Sequence, residues 1–328
     1  MKKITLQRTQ SMTATNIDLT ELKSRCDEAC KVLLADKEIL ARILISTVDE
    51  FKDIEIADIK NVCIEGTPVI SKIPVNSDET NARIEGGNSE STILGEGTFT
   101  FDIKFDVVYP SREMETIGIK MLVDIEAQNK YHPGYAVHTR GIYYGCRLIS
   151  SQYNREFTGD HYGKIKKVYS IWICMEPTKE DKNTITTYRI TKENKVGESK
   201  DEPKTYDLLS VPVICLGGEE YDNYEGIIKL LDVLLSKTKR AEEKKRILSE
   251  EFGIPMEKEL EKEIRDMCNY SDYMNDYYYE SGISQGMKAF VELCKDFGMS
   301  EAETQPKVVE KFYIPEEEAK EKVHEYWS

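Results

Sequence analysis

The chain has 328 residues, of which 40% are hydrophobic and 32% are charged, and its formal net charge at pH 7 is −15. Such a length fits one large domain, or one core domain with an appendage. The acidic excess argues against a protein that coats nucleic acid through overall positive charge, but it leaves open an enzyme with a local basic groove. The sequence has no apolar run of the ~18 residues that span a membrane and no secretory signal, so we expect a cytoplasmic protein without a membrane partner.

Eight cysteines and four histidines are scattered along the sequence, without a Cys-x-x-Cys pair. Cys26 and Cys30 stand one helical turn apart, but no second pair completes a zinc site. We therefore expect reduced and mostly buried thiols, as is usual for cytosolic proteins.

The first part of the chain is predicted to be helical. Residues 1–17 are polar and are expected to form a flexible N-terminus. Apolar residues at three- and four-residue spacing over residues 18–51 indicate two helices, or one helix broken near Ala35–Glu38. A short helix and an extended piece follow. Residues 66–97 are rich in Gly, Pro, Ser and Asn, and this composition predicts a long loop.

Two strands with period-two alternation come next. In residues 98–110 the apolar side of the predicted strand opposes a polar side that carries Asp102, Lys104 and Asp106. After a polar hairpin loop, residues 119–128 alternate in the same way and carry Asp124, Glu126 and Gln128 on the polar side. A solvated sheet face explains this pattern, and so does a metal site.

The remaining elements complete the predicted fold. Residues 131–150 are expected to form a helix, in which Gly141 and Gly145 allow close packing on the sheet. Residues 164–176 form a strand that is nearly continuous in apolar residues and therefore central, and further strands and then helices follow. The predicted class is α/β (α+β), a mixed central sheet flanked by helices. The predicted organisation is a flexible N-terminus (1–17), a core domain (18–220) and a helical C-terminal region (221–328).

A tyrosine-rich segment, residues 270–282, lies among the C-terminal helices. Tyrosines can stack on nucleic-acid bases. The interpretation that we favour is a junction between two helices, where the rings pack together.

The two polar strand faces indicate a pair of converging carboxylates. Facing residues on neighbouring strands have Cβ atoms about 4.5–5.5 Å apart, so Asp102 and Glu126 meet if the polar faces coincide. Two carboxylates at one place repel each other unless a cation lies between them or one is protonated. Mg²⁺ prefers such hard oxygen ligands, and water bound to the metal becomes a stronger nucleophile.

Three segments together carry a resemblance to a known family. The segments "FDIKFD", "VDIEAQ" and "HTRGIYYGCRLIS" resemble the PD-(D/E)XK nuclease superfamily, and most of all its transposase-associated, recombination-promoting nuclease-like group of bacteria. The resemblance covers roughly residues 20–220. It implies a restriction-endonuclease-like fold, Mg²⁺ or Mn²⁺ as the cofactor, and DNA as the partner.

Carried over by position, the resemblance implies a set of site residues. Asp102 is the first metal-binding acid, with Asp106 as its rival, and Glu126 is the second ligand. The superfamily usually has a Lys two residues after this Glu, and here Gln128 holds that position, as is common in this group. An amide orients water or phosphate by hydrogen bonding but carries no charge. The nearby candidates to supply that charge are Lys104, Lys120 and Lys130.

Residues of two other segments are candidates for the same site. Such folds often take another acid from the first helix, which implies Glu50 or else Asp49, although capping of a helix end explains both acids as well. Arg140 and Tyr144 lie four residues apart on one face of the predicted helix, and with Lys104 they are candidates to bind DNA phosphate. Packing of Tyr144 on the sheet, with Arg140 at the rim, is the alternative.

The sequence thus predicts a magnesium-dependent DNA endonuclease of a mobile-element or recombination-promoting type. The alternative is a catalytically inactive protein of the same fold that serves as an interaction module and forms homo-oligomers through its C-terminal helices. A third interpretation, a structural domain with merely solvated strand faces, predicts that loss of Asp102 or Glu126 costs little stability.

Overall fold

The computed structural model describes residues 19–70, 90–93, 97–100, 102–109, 119–130, 134–218 and 225–327. The helices are α1 (Leu19–Leu34), α2 (Lys37–Thr47), α3 (Ile56–Asp58), α4 (Val137–Ser150), α5 (Gly226–Leu235), α6 (Ala241–Glu250), α7 (Lys258–Asp296), α8 (Glu301–Phe312) and α9 (Glu316–Trp327). The strands are β1 (Ile64–Ile70), β2 (Glu90–Ile93), β3 (Gly97–Thr100), β4 (Ile103–Tyr109), β5 (Ile119–Lys130), β6 (Val168–Glu176), β7 (Thr184–Arg189) and β8 (Leu209–Cys215).

Six strands form a mixed sheet in the order β1–β4–β5–β6–β8–β7. The neighbours β1, β4 and β5 are antiparallel, whereas β5, β6 and β8 run parallel, and β7 pairs antiparallel with β8 at the edge. β2 and β3 pair in a separate two-stranded sheet. The predicted mixed α/β class is confirmed.

Asp36 explains why α1 and α2 are separate helices. Its carboxylate accepts hydrogen bonds from the backbone N–H groups of Glu38 and Ile39, at 2.8 and 3.3 Å. This is the N-cap of α2, and it satisfies donors that have no partner inside the helix. The predicted break near Ala35–Glu38 is confirmed.

Helix α4 connects the parallel strands β5 and β6 and packs on one face of β6 and β8. Two glycines make this contact close. A Cβ on Gly141 would collide with Trp172 and Val211, and a Cβ on Gly145 would collide with Leu209. The predicted role of the two glycines in close packing is confirmed.

The strands β6 and β8 lie at the centre of the core. All seven residues of β8 and the first seven of β6 are buried. Successive strand residues point to opposite faces, so Trp172 faces α4 while Tyr169 faces the other side, where its hydroxyl meets Glu50 in the 3₁₀ turn Asp49–Phe51. Both faces of the central strand are covered, as its continuous apolar sequence predicts.

The prediction of a loop over residues 66–97 is wrong at both ends. β1 continues to Ile70, and β2 begins at Glu90. Pro68 lies within β1 at the edge of the sheet, where a missing N–H group is tolerated. The register of β1 with β4 shifts between Glu65 and Val69, around this proline. Residues 71–89 lie outside the described residues.

The predicted strand over residues 98–110 is two strands. β3 ends at Thr100, Asp102 lies in a bend, and β4 begins at Ile103. The apolar–polar alternation runs through both strands without interruption. Such a pattern indicates which residues are apolar, but it does not show where one strand ends and the next begins. The predicted hairpin loop after β4 lies outside the described residues, and α4 begins at Val137 rather than at residue 131.

Helix α7 is continuous over 39 residues and contains the tyrosine-rich segment. The predicted helix junction is therefore wrong. Four of the tyrosines are exposed: Tyr273, Tyr277, Tyr278 and Tyr279. The second half of α7 forms a small core with α8 and α9, made of Met287, Val291, Val308, Ala319 and Val323.

The chain divides into two compact units. Among the described residues, the larger unit lies within residues 24–268, and the smaller contains residues 269–327 together with residues 19–23. The larger unit includes the six-stranded sheet and also α5 and α6, so this division lies elsewhere than the predicted boundary at residue 220. The predicted flexible N-terminus, residues 1–17, lies outside the described residues. None of the described helices combines the length and the apolar character that a membrane crossing requires.

All eight cysteines are free thiols, and seven of them are buried. Cys174 and Cys215 are register partners on the neighbouring strands β6 and β8. Cys146, on α4, is the exposed one. The prediction of mostly buried thiols is confirmed, and their reduced state stays a prediction.

Candidate active site

The end of the β4–β5 ladder is the region where two predicted acids come together. Ile103 pairs with Ile125 in this antiparallel ladder. Asp102 precedes Ile103 and Glu126 follows Ile125, so the backbones of the two acids are neighbours one step beyond the pair. The sequence analysis expects this proximity on the condition that the polar faces of the two strands coincide.

Asp106, the rival of Asp102, lies further along the same ladder. It pairs with Leu122, which precedes Glu126 by four residues. Four residues span about 13 Å along a strand. The register therefore favours Asp102 over Asp106 as the neighbour of Glu126.

The side chain of Asp102 binds a lysine of the first helix. Its Oδ1 atom lies 2.7 Å from the Nζ atom of Lys31, and the same ammonium lies 3.3 Å from Oδ2 of Asp27, one turn earlier in α1. The Lys31 side chain is only 4% exposed, and the Asp102 side chain is 18% exposed. The ion pair therefore connects α1 to the start of β4 in a largely water-free place.

The pKa values of Lys31 and Asp27 are both shifted in this cluster. Burial alone would lower the pKa of the Lys31 ammonium, but the nearby carboxylates of Asp102 and Asp27 outweigh it, and the pKa is raised above its usual value. Burial raises the pKa of the Asp27 carboxyl, and repulsion from Asp102 adds to the effect, while Lys31 opposes it. Lys31 is therefore a permanent cation at neutral pH.

Glu126 and Gln128 lie on β5 beside the central strand. Glu126 is the register partner of Trp172, and Gln128 is the partner of Cys174. The backbone of both residues is described, and their side chains lie outside the described part of the structure. Their predicted roles stay predictions.

Arg140 lies in a cluster of aromatic rings at the start of α4. Its Nη1 atom donates to the Tyr135 hydroxyl at 2.7 Å, and its Nη2 atom donates to the Tyr144 hydroxyl at 2.6 Å. The guanidinium carbon also lies 5.4 Å from the ring centre of Trp172, within the range of cation–π attraction. Because Trp172 is the register partner of Glu126, this cluster adjoins the end of the β4–β5 ladder.

Tyr144 combines the two roles that the sequence leaves open. Its ring is buried and packs edge-on against Trp172, with ring centres 5.6 Å apart. Its hydroxyl meanwhile holds Arg140. Tyr144 thus packs on the sheet and positions the half-buried guanidinium.

Three lysines are candidates for the charge that Gln128 lacks, and they lie at different places on the two strands. Lys104 pairs with Asp124 and stands two residues after Asp102. Lys120 and Lys130 lie near opposite ends of β5. Lys104 is therefore the nearest of the three to Asp102 along the strands.

Glu50 is engaged in a different network. Its Oε2 atom accepts a hydrogen bond from the Tyr169 hydroxyl at 2.5 Å, and its Oε1 atom lies 3.2 Å from Nζ of Lys167, which also binds Asp207 at 2.7 Å. Burial, and then the bond to Glu50, raises the pKa of the Tyr169 phenol far above its usual value, so the hydroxyl stays a donor. Since Tyr169 and Trp172 point to opposite faces of the sheet, Glu50 is not brought together with the Arg140 cluster.

Sequence reasoning missed two residues at this place, Lys31 and Asp27. The segment "RCDEACK" shows that they are one helical turn apart, which predicts that they contact each other. Nothing in the sequence indicates that this helix face meets Asp102. The acid of the first helix that lies near Asp102 is Asp27 rather than Glu50.

The donor atoms at the end of the ladder fit a hard divalent cation. Both predicted ligands are carboxylates, which Mg²⁺ prefers, and the Asp102 carboxylate binds a cation already, the Lys31 ammonium. Among the described side chains, no group of three or more His, Cys, Asp or Glu residues is arranged to hold a metal ion. The Glu126 side chain lies outside the described side chains, so this finding does not concern the predicted pair of Asp102 and Glu126.

Comparison of the chain with models of protein families, with curated proteins and with solved structures finds no match.

Proposed function

We propose that the protein is a magnesium-dependent DNA endonuclease with a restriction-endonuclease-like fold, of the mobile-element or recombination-promoting type. The observation that carries the proposal is the register of β4 and β5, in which Asp102 and Glu126 are backbone neighbours. The order of elements supports it as well. The mixed sheet has three antiparallel strands, then a crossover helix and a parallel strand, and this order is compatible with the proposed fold.

Asp102 and Glu126 would hold the metal ion. When bound, Mg²⁺, or Mn²⁺ in its place, supplies a Lewis acid for a phosphate oxygen and lowers the pKa of a bound water. The chain contributes one acid from the paired strand β5 and one from the residue directly before β4, and ligands carried by a rigid sheet keep their geometry better than ligands on a loop.

Arg140 is the residue that would bind the DNA phosphate. Its guanidinium is held by the hydroxyls of Tyr135 and Tyr144, and a guanidinium of fixed orientation suits the oxygens of a phosphate. Tyr144 acts in this proposal as a positioning residue, because its ring is buried. Gln128 would orient water or phosphate by hydrogen bonds, and Lys104 would add positive charge.

A specific observation favours the alternative, an inactive protein of the same fold that serves as an interaction module. Asp102 already has a cation as its partner, the Lys31 ammonium at 2.7 Å, so this carboxylate is paired without a metal ion. Both candidate functions, the endonuclease and the interaction module, are compatible with self-association through the C-terminal helices and with a cytoplasmic location. These two properties stay predictions.

Nicking of supercoiled plasmid in Mg²⁺, Mn²⁺ or EDTA separates the two candidates. We expect metal-dependent nicking by the wild type that is lost in Glu126→Ala. The matched control is Glu176→Ala, which removes an exposed glutamate from the end of the neighbouring strand β6 and is expected to keep the activity. Absence of nicking by the wild type in both metals would favour the interaction module.

A further inference from the structure

Lys31 occupies the place beside Asp102 where a cation is expected. Its ammonium lies between two carboxylates, 2.7 Å from Asp102 and 3.3 Å from Asp27. A buried ammonium is stable only when it is paired, and this one, 4% exposed, is paired on both sides. The contact is thus a firm internal ion pair rather than a surface encounter.

We propose that Lys31 is a resident cation of the metal site, and that a divalent ion binds at Asp102 only by displacing the Lys31 ammonium. This inference rests on the proposed function, in which Asp102 is a metal ligand. It adds a regulatory contact to that site, because the chain itself then competes with the metal.

Charge and distance explain the competition. Mg²⁺ binds carboxylate oxygen at about 2.0–2.1 Å, so an ion on Asp102 would lie within a few ångströms of the Lys31 ammonium. Two cations that close repel each other strongly where little water screens them. The ammonium must therefore move away from Asp102 before the metal binds at full strength.

Asp27 gives the displaced ammonium a place to go. It lies one helical turn before Lys31 on α1 and is 3.3 Å from the ammonium already. When the contact with Asp102 is given up, Lys31 keeps this partner, so no unpaired buried charge results. Asp27 therefore lowers the cost of metal binding without being a ligand.

Titration calorimetry with Mn²⁺, on folded full-length protein without DNA, tests the competition. We expect Lys31→Met to bind Mn²⁺ about tenfold more tightly than the wild type, a typical size for coupling between two sites. Asp27→Asn is expected to bind it more weakly, since the displaced ammonium loses its partner. The matched control is Lys229→Met, which removes another lysine in an ion pair, 2.7 Å from Glu251, and is expected to leave the affinity unchanged.

Thermal unfolding in EDTA and in MgCl₂ keeps the test decisive if Lys31→Met is unstable. The proposal predicts that Mg²⁺ raises the midpoint of this variant more than that of the wild type. If Lys31→Met is unfolded both in EDTA and in MgCl₂, the same experiment is made with Lys31→Gln. The amide of this glutamine is uncharged but can donate hydrogen bonds to carboxylates.

The outcomes separate the inference from the function on which it rests. Equal or weaker Mn²⁺ binding by both uncharged variants, with a wild type that does bind, would overturn the competition and leave the metal site standing. Absence of Mn²⁺ binding by the wild type and by all variants would overturn the metal site and the competition with it.

Discussion

Lys244 is a fully buried lysine in the larger unit. Its Nζ atom donates to the carbonyl oxygen of Leu234 at 3.0 Å and lies 3.7 Å from the sulfur of Met267. Burial lowers the pKa of the Lys244 ammonium below its usual value, although neighbouring thiols oppose the shift. This residue differs from Lys31, whose carboxylate partners raise its pKa. Burial lowers the pKa of both lysines, but the net shifts are opposite because only Lys31 has carboxylate partners that outweigh its desolvation.

The lowered pKa of Lys244 predicts a pH-dependent stability. The unfolded chain holds this proton up to about pH 10.4, whereas the folded protein releases it at lower pH. The free energy of unfolding therefore rises with pH between the folded and the unfolded pKa of this lysine. Lys244→Met removes the buried charge and is expected to be neutral or stabilising by about 1–4 kcal/mol near neutral pH, with a flatter pH profile. Urea unfolding between pH 6 and 10 checks this.

A surface lysine provides the control for that experiment. Lys195 is exposed, and Lys195→Met is expected to leave the pH profile of stability as it is in the wild type. A Lys244→Met variant that loses several kcal/mol at every pH would show that the lysine's hydrogen bond to Leu234 outweighs its desolvation.

At the scale of secondary-structure elements, the close packing of α4 on the sheet determines the position of Arg140. Gly141 and Gly145 let the helix approach β6 and β8 closely. Tyr144 then reaches Trp172 and holds the guanidinium. A helix pushed outward would carry Arg140 away from the end of the β4–β5 ladder.

Gly141→Ala is expected to disturb the packing of α4 on the sheet and so to lower the stability of the protein. The added methyl group would collide with Trp172 and Val211, and overpacking of this kind costs about 1–3 kcal/mol. Gly163→Ala is the control, because a Cβ at that position meets no atom within 4 Å. Chemical denaturation of the two variants measures the difference. A Gly141→Ala protein that is as stable as Gly163→Ala would contradict the close packing of α4.

The elements themselves were largely predictable, and their pairing was not. Periodicity locates α1, α2, β4 and β5 because burial on one face leaves a trace in the sequence, and a continuous apolar run locates β6, which is covered on both faces. The second half of β1 was not predicted, because Pro68 and Gly66 are typical of loops, although an edge strand tolerates them. The ion pair of Lys31 with Asp102 was not predicted either. It joins two segments that are distant in the sequence, and no local pattern indicates which helix face contacts which strand.

For the whole molecule, the net charge of −15 bears on DNA binding less than it first suggests. Charges further apart than about 10 Å are largely screened at 0.1 M salt, so the nearest side chains decide the field at a site. Around the end of the β4–β5 ladder these include Lys31, Lys104 and Arg140 as cations. Acidic side chains beyond that distance add to the total charge without defining this local field.

The measurement that tests the account most directly is a double-mutant cycle of Mn²⁺ affinity on the wild type, Asp102→Asn, Glu126→Gln and the double variant. If the two acids share one ion, each single change is expected to weaken binding by at least about tenfold, and the two effects are expected to be non-additive. An Asp102→Asn protein that binds Mn²⁺ as tightly as the wild type would contradict the shared site. The interaction module would then become the better account of the protein.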